Sequence, residues 1–404
     1  MSQSLLLKSV TLTDGSVVDI RIIDGFISAI SSSLTPQQGE QEWDLRGHIL
    51  SPSFIEPHAH LDKAFLADRI VNETGDLLGA INGLHAVRET LTHSDIVSRA
   101  TKAAMLLSQN GVTAIRTHAD TMVETGLRNI EALLETKANC AGFVDIQVAM
   151  LLEWPLSGEG SAERHALARD AISAGADVVG GCPHLDAHPE AAVDYLLGLA
   201  IENGLPLDLH ADENLRESSV DLEYVADTML KHNIRHQVNA SHCVALSTRS
   251  ERDIKRIAEK VAEAGISVTA LPQTNLFLQS RHQATLAPRA ITPINMLREA
   301  KVVVAAGGDN LQDPFNTVGR GDPLETASLL VTAAHVPIKN SHEMVTSAAH
   351  TVVYGKISTV DVGQRANLVA VPATTVRESI AMGPPDRFVV YGGVVINEQI
   401  RNRK

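Results

Sequence analysis

Histidine is the residue type in this chain with the most chemistry to offer. The 404 residues include 17 His, against 4 Tyr, 2 Trp and 3 Cys, and several histidines close short apolar runs. The first run ends Glu56-Pro57-His58-Ala59-His60, the second Arg116-Thr117-His118-Ala119-Asp120, and the third contains Gln147. The fourth ends Gly180-Gly181-Cys182-Pro183-His184 and the fifth His210-Ala211-Asp212-Glu213. The sixth ends Ser241-His242 and the eighth Gly307-Gly308-Asp309-Asn310. Five of the eight runs end in or beside a histidine, which surface histidines scattered at random would not do.

Strand alternation puts both imidazoles of His58-Ala59-His60 on one side, where they can chelate a single cation. His210 and Asp309, from other runs, complete a set of three histidines and one carboxylate. That set suits one Zn2+ or Fe2+, because both accept imidazole and carboxylate. Water held by such an ion has its pKa lowered towards about 7, so hydroxide is available at neutral pH. Glu213, three residues after His210, is placed to carry a proton to a substrate, and His242 to steady a developing oxyanion. Taken singly, each has an ordinary reading. His118 and His184 could be core histidines bonded to backbone, Asp309 a turn residue after two glycines, and Glu213 a solvated loop carboxylate. Jointly they favour metal-dependent hydrolysis. Competing motifs are incomplete: His188-Pro189-Glu190 has no following PCxxC, and His342-Glu343 lacks the second histidine of HExxH.

The elements that must position these residues are short. The apolar runs fall at 53–57, 112–117, 143–150, 177–180, 205–209, 237–241, 266–271 and 302–306, separated by helix-like stretches. The clearest helix is expected over 95–110, with Ile96, Ala100, Ala103 and Leu107 on one face, Thr92 as its cap and Gly111 as its stop. Eight strands alternating with helices predict a (β/α)8 TIM-type barrel with its site at the C-terminal strand ends. An open doubly wound sheet is the competing architecture. The two ends of the chain read as β hairpins, one turning at Asp24-Gly25 and the other at Gly392-Gly393. They are expected to combine, over 1–52 and 362–404, into a small composite β-sandwich beside a catalytic barrel at 53–361.

Composition narrows the ligand. The chain carries 48 acidic and 34 basic side chains, a net charge of −14, with 44% hydrophobic and 20% charged residues. This is a globular mixture whose charge works against binding nucleic acid. No apolar run reaches the ~18–20 residues of a membrane span, and Met1–Lys8 has no export pattern, so a cytoplasmic protein is expected. The three cysteines form neither a disulfide framework nor a CxxC site. A small molecule is the expected partner. The sequence leaves homo-oligomerisation open.

The run Glu56-Pro57-His58-Ala59-His60-Leu61-Asp62 resembles the amidohydrolase superfamily, and within it the bacterial cytosine deaminase group. The likeness continues through Arg116-Thr117-His118-x-Asp120, Asp145-Ile146-Gln147, Pro183-His184, His210-x-Asp212-Glu213, Ser241-His242 and Asp309-Asn310-x-x-Asp313-Pro314. Gly363-x-x-Ala366-Asn367-Leu368-Val369 resembles the strand with which that family enters its β-sandwich. The resemblance implies metal ligands at His58, His60, His210 and Asp309, with Glu213 as proton shuttle. It implies His242 beside the hydrolytic water, Asp309 as base, and Gln147 on the amide edge of a pyrimidine-like ring. Binuclear members have a bridging Lys or Glu that Gly181-Cys182-Pro183-His184 does not offer, so a mononuclear site is implied.

Departures from the group bear on the substrate. Asn310 stands where cytosine deaminases have a second Asp. Leu151-Leu152-Glu153-Trp154 replaces an aromatic, Gln-containing segment and makes Trp154 a candidate wall of the pocket. Leu61-Asp62-Lys63-Ala64-Phe65 is closer to the related isopropylammelide hydrolases. The expected activity is therefore hydrolytic deamination of a cytosine-like, isocytosine-like or other cyclic amidine ring, with release of ammonia. Release of an alkylamine from a triazine is the near alternative. A cyclic amidase or a non-catalytic binding barrel is more distant.

Overall fold

The computed structural model describes residues 4–396, so 1–3 and 397–404, the outer ends of the two expected terminal segments, lie outside the described residues. Five strands open the chain: β1 (Ser4–Leu12), β2 (Val17–Ile23), β3 (Phe26–Ser31), β4 (Gln41–Asp44) and β5 (Ile49–Pro52). The eight apolar runs then become β6 (Phe54–Ala59), β7 (Val112–Thr121), β8 (Asp145–Leu152), β9 (Val178–Gly181), β10 (Leu207–Ala211), β11 (Val238–His242), β12 (Ser267–Ala270) and β13 (Val304–Ala306). Three more follow: β14 (Leu368–Val371), β15 (Phe388–Tyr391) and β16 (Val394–Val395).

Strands β6 to β13 pair in sequence order, and every named ladder among them is parallel. A parallel bridge between Ala59 and Asp309 closes the ring, which excludes the open-sheet alternative. The closure also sets Asp309 beside the histidine pair of β6. The barrel strands are buried on both faces, as sheets covered by helices must be. The expected helix at 95–110 is His93–Gln109, and Thr92 accepts the Asp95 amide at its start. The Asp95 carboxylate pairs instead with Arg69 and Arg99. Among the described residues no helix is long and apolar enough to cross a membrane.

The terminal strands share a second sheet, ordered β16-β15-β14-β5-β1-β2-β3, with β4 on β1. Leu5, Leu7, Ile20, Ile22, Leu50, Leu368 and Val390 fill its core. Strand β1 has an irregularity between Leu7 and Val10, with β4 paired before it and β5 after it. Trp43 of β4 and Phe388 of β15 lie 4.9 Å apart although no ladder joins these strands, so the sheet folds over its own core as a sandwich. Both hairpins turn through paired left-handed residues, Asp24-Gly25 and Gly392-Gly393. A Cβ on Gly393 would come within 2.7 Å of the Gly25 Cα, so the two tips touch and need glycine there.

Candidate active site

The C-terminal ends of the barrel strands bring four sequence-distant ligand candidates together. His58 is the next-to-last residue of β6, His60 follows the strand, His210 lies near the end of β10, and Asp309 comes after β13. The His210 Nε2 is 3.1 Å from the His58 Nε2 and 3.2 Å from the His60 Nε2. An Asp309 carboxylate oxygen stands 3.6 Å from the first of these nitrogens and 3.3 Å from the second. Four donors at tetrahedral corners about 2.0–2.1 Å from a centre would sit roughly 3.3 Å apart. The set therefore fits one divalent cation. Both Asp309 oxygens are buried without a hydrogen-bond partner among the described residues, as a ligating carboxylate would be before its ion is counted. Burial holds His58, His60 and His210 well below the usual histidine range, which leaves them neutral and able to ligate.

Local backbone chemistry aims these groups. The glycines before Asp309 are required by the Glu56 carboxylate, which accepts the Gly308 amide at 2.9 Å. A Cβ on Gly307 would fall 2.3 Å from that carboxylate. Asp309 and His242 both adopt left-handed backbone, at φ 64° and 68°, a strained choice for residues with side chains. Beneath the ligands, the His58 Nδ1 donates to the Ser241 Oγ at 2.9 Å, and that hydroxyl donates onward to Asp208 at 2.9 Å. Asp208 is held by a fully buried Arg116 at 2.8 Å. This chain fixes the His58 tautomer with Nε2 free for a metal. Ser241→Ala should weaken metal affinity about tenfold or more, read by competition with a graded chelator; unchanged affinity would show that the hydroxyl only packs.

On the cavity side of the ligands stands Glu213. It is 5% exposed, with its carboxylate 3.6 Å from the His242 Nδ1 and 4.0 Å from the His184 Nε2. Burial, reinforced by the Asp309 charge, pushes the Glu213 carboxyl well above its ordinary range. His242 is held low by burial and sets its Nδ1 3.1 Å from the Asn275 Oδ1, a pairing that leaves Nε2 free. His184 bonds the His210 carbonyl through Nδ1 and turns its unpartnered Nε2 towards Glu213.

The remaining expectations divide. His118 packs its ring 4.1 Å from that of His58 and lies over Gly180, where a Cβ would come within 3.6 Å of the His118 Nδ1. Trp154 lines the cavity, as does Asn310. The Asn310 amide accepts from Thr274 at 3.0 Å and donates to Asp313 at 2.8 Å, contacts that fix its orientation in the cavity wall. Gln147 is misplaced for contact with a ring. It sits deep in β8 beside Arg116, its oxygen accepting two Arg116 bonds and its nitrogen donating to the Val353 carbonyl.

Polar residues not among the expected site residues also face the cavity, Lys63 and Asp120 among them. Lys63 is buried, with its Nζ 2.5 Å from Asp120 and 3.3 Å from the His60 Nδ1. Burial alone would lower its pKa, but Asp120 and Asp62 outweigh that and keep it charged. Both Lys63 and Asp120 stand in motifs already noted in the sequence, yet their meeting depends on the β6–β7 register. The cavity beside the ligand candidates is lined by the polar Lys63, Asp120 and Glu213 and by the apolar Leu77, Ile81, Leu84, Leu151 and Phe315.

Comparison with known proteins agrees with this geometry. Residues 69–401 match the sequence model of the amidohydrolase family. A pterin deaminase of Rhizobium rhizogenes (strain K84 / ATCC BAA-868) is 29% identical over 390 residues, covering 95% of this chain and 88% of that protein. The crystal structure of 5-methylcytosine deaminase from Klebsiella pneumoniae, liganded with 5-fluorocytosine, superposes with a TM-score of 0.89 at 26% identity, covering 97% of each chain. That of N-isopropylammelide isopropylaminohydrolase from Burkholderia multivorans ATCC 17616 gives 0.85 at 28% identity, covering 98% of each. With a parallel barrel and a convergent His/Asp set that fits a divalent cation, the chain belongs to the amidohydrolase family and is a hydrolase acting on C–N bonds.

Proposed function

We propose that this protein deaminates a cyclic amidine ring of the 2-amino-4-oxopyrimidine kind, the unit present in isocytosine and fused within pterin. Glu213 carries the reading, as a buried carboxyl on the substrate side of a three-histidine, one-aspartate set. The names of the pterin deaminase and 5-methylcytosine deaminase relatives support ammonia as the leaving group. In the reaction one ring carbon exchanges its C–N bond to the amino group for a C–O bond from water, with no change in oxidation state.

One cation held by His58, His60, His210 and Asp309, Zn2+ or Fe2+, would supply water acidic enough to attack at neutral pH. Glu213 would carry one proton of the attacking water to the ring nitrogen beside the attacked carbon, and would then carry the remaining hydroxyl proton of the tetrahedral carbon to the departing amine, which leaves as ammonia. Its raised pKa suits this two-way traffic. The free Nε2 of His242 would accept a hydrogen bond from the attacking water. Lys63, kept charged by Asp120, donates to the ring carbonyl oxygen. Lys63→Met should raise KM about tenfold or more with metal content unchanged; an unaltered KM would remove Lys63 from ring recognition.

The deciding experiment measures ammonia and alkylamine release by metal-loaded protein from cytosine, isocytosine, pterin and isopropylammelide, with a chelated control. Chelator-sensitive ammonia from the 2-amino-4-oxo rings is expected. Isopropylamine from isopropylammelide, with no ammonia from any ring, would overturn the proposal in favour of alkylamine release.

A further inference from the structure

We infer that Glu56 is a positioning residue for the metal set, holding Asp309 in place across the one seam of the barrel that no strand ladder closes. The inference rests on the ligand set of the proposed function, and is independent of which ring is the substrate. Every pair of consecutive strands from β6 to β13 is joined by a ladder. Between β13 and β6, where the ring closes, the described residues have a single bridge, Ala59 with Asp309. His58 and His60 lie on one side of this seam and Asp309 on the other, so the ligand set straddles the weakest pairing in the barrel.

The Glu56 carboxylate occupies that seam. Its two oxygens accept the Gly308 amide at 2.9 and 3.1 Å, and one of them lies 3.4 Å from the His58 amide. One side chain thus bonds the backbone immediately before Asp309 and reaches the backbone of His58. The fit is close, since a Cβ on Gly307 would fall 2.3 Å from one carboxylate oxygen and a Cβ on Gly308 3.2 Å from the other. The Asp309 side chain has no anchor of its own, because neither of its oxygens has a hydrogen-bond partner among the described residues. Its left-handed backbone, at φ 64°, persists only where the surroundings impose it. Glu56 is 4% exposed, and the donors it accepts from are backbone amides rather than a cation. Burying an acid in this way costs stability that an apolar residue of the same length would not. What the carboxylate supplies in return is the aim of Asp309.

The test uses Co2+ alone, added to metal-free protein. Glu56→Met keeps the length of the side chain but removes its acceptors, and should lower Co2+ affinity about tenfold or more. Glu56→Gln keeps one acceptor for the Gly308 amide and should lose less, about threefold or more. The visible absorption of bound Co2+ follows ligand number and geometry, and in Glu56→Met protein it should move towards that of Asp309→Ala protein. In the Asp309→Ala background neither Glu56 substitution should lower Co2+ affinity further, because both act through the ligand already removed. Affinity in Glu56→Met protein within about threefold of the unsubstituted value, or an equal loss in both backgrounds, would overturn the inference, the second outcome marking a general packing defect. If Glu56→Met protein does not fold, Glu56→Gln decides by the same comparison of backgrounds. Unchanged Co2+ affinity in Asp309→Ala protein would overturn the ligand set and this inference with it. Coupled loss of Co2+ affinity, with no ammonia from any ring, would overturn the deaminase reading and leave the role of Glu56 standing.

Discussion

Glu213→Gln should lower kcat by about 10³-fold, within the range usual for losing a positioned general acid–base group, while leaving metal content and substrate KM within about threefold. Glutamine keeps the size and polarity of the side chain but cannot take up or release a proton. The substituted residue remains against His242 and His184, so the cavity should keep its shape. A stability measurement sharpens the reading. Glu213 is buried and close enough to Asp309 for the second carboxylate to raise its pKa, an arrangement that disfavours folding whenever both are charged. Replacing it with a neutral isostere should leave the metal-free protein as stable as before or more so, the usual sign of a group retained for chemistry. Activity within tenfold of the unsubstituted enzyme would remove Glu213 from proton transfer. Loss of metal along with activity would mean that the carboxylate supports the ligand set instead.

Much of this site was readable in the sequence because alternation and strand order are local signals. All eight barrel strands fall on the apolar runs, and the candidate ligand set comes from the residues at their ends. Depth along a strand was not readable. Gln147 lies in a run that does reach the site, but β8 continues five residues beyond it to Leu152, and register pairs Gln147 with Arg116. At that level the amide meets a buried guanidinium and a helix carbonyl and has no ring to read. The opposite omission concerns Lys63 and Asp120, which are 57 positions apart and meet only because β6 and β7 are neighbours. The helix Leu77–Val87 falls outside the strand–helix alternation, so its apolar spacing looks like core packing until the barrel beneath it is known.

His58→Ala should abolish stoichiometric metal binding, reducing the content from about one ion per chain to a small fraction, with activity lost in proportion. Of the four candidate ligands His58 is the most deeply tied to the rest of the fold. Its Nε2 faces His210 and Asp309, its Nδ1 is fixed by Ser241, and its ring packs against His118. Removing the imidazole therefore takes away one ligand and the link to the Ser241–Asp208–Arg116 chain beneath it. The void itself would destabilise the protein, so metal content alone could be lost through misfolding. The chelator dependence of thermal unfolding separates the two causes. A ligand that binds only the folded state stabilises it by RT ln(1 + [L]/Kd), so the unsubstituted protein should melt lower once its metal is stripped. His58→Ala protein should still melt cooperatively, but at a temperature indifferent to chelator or added metal. If it instead holds a full equivalent of metal and keeps a chelator-sensitive midpoint, the cation is bound elsewhere, and the convergence of His58, His60, His210 and Asp309 would need another explanation.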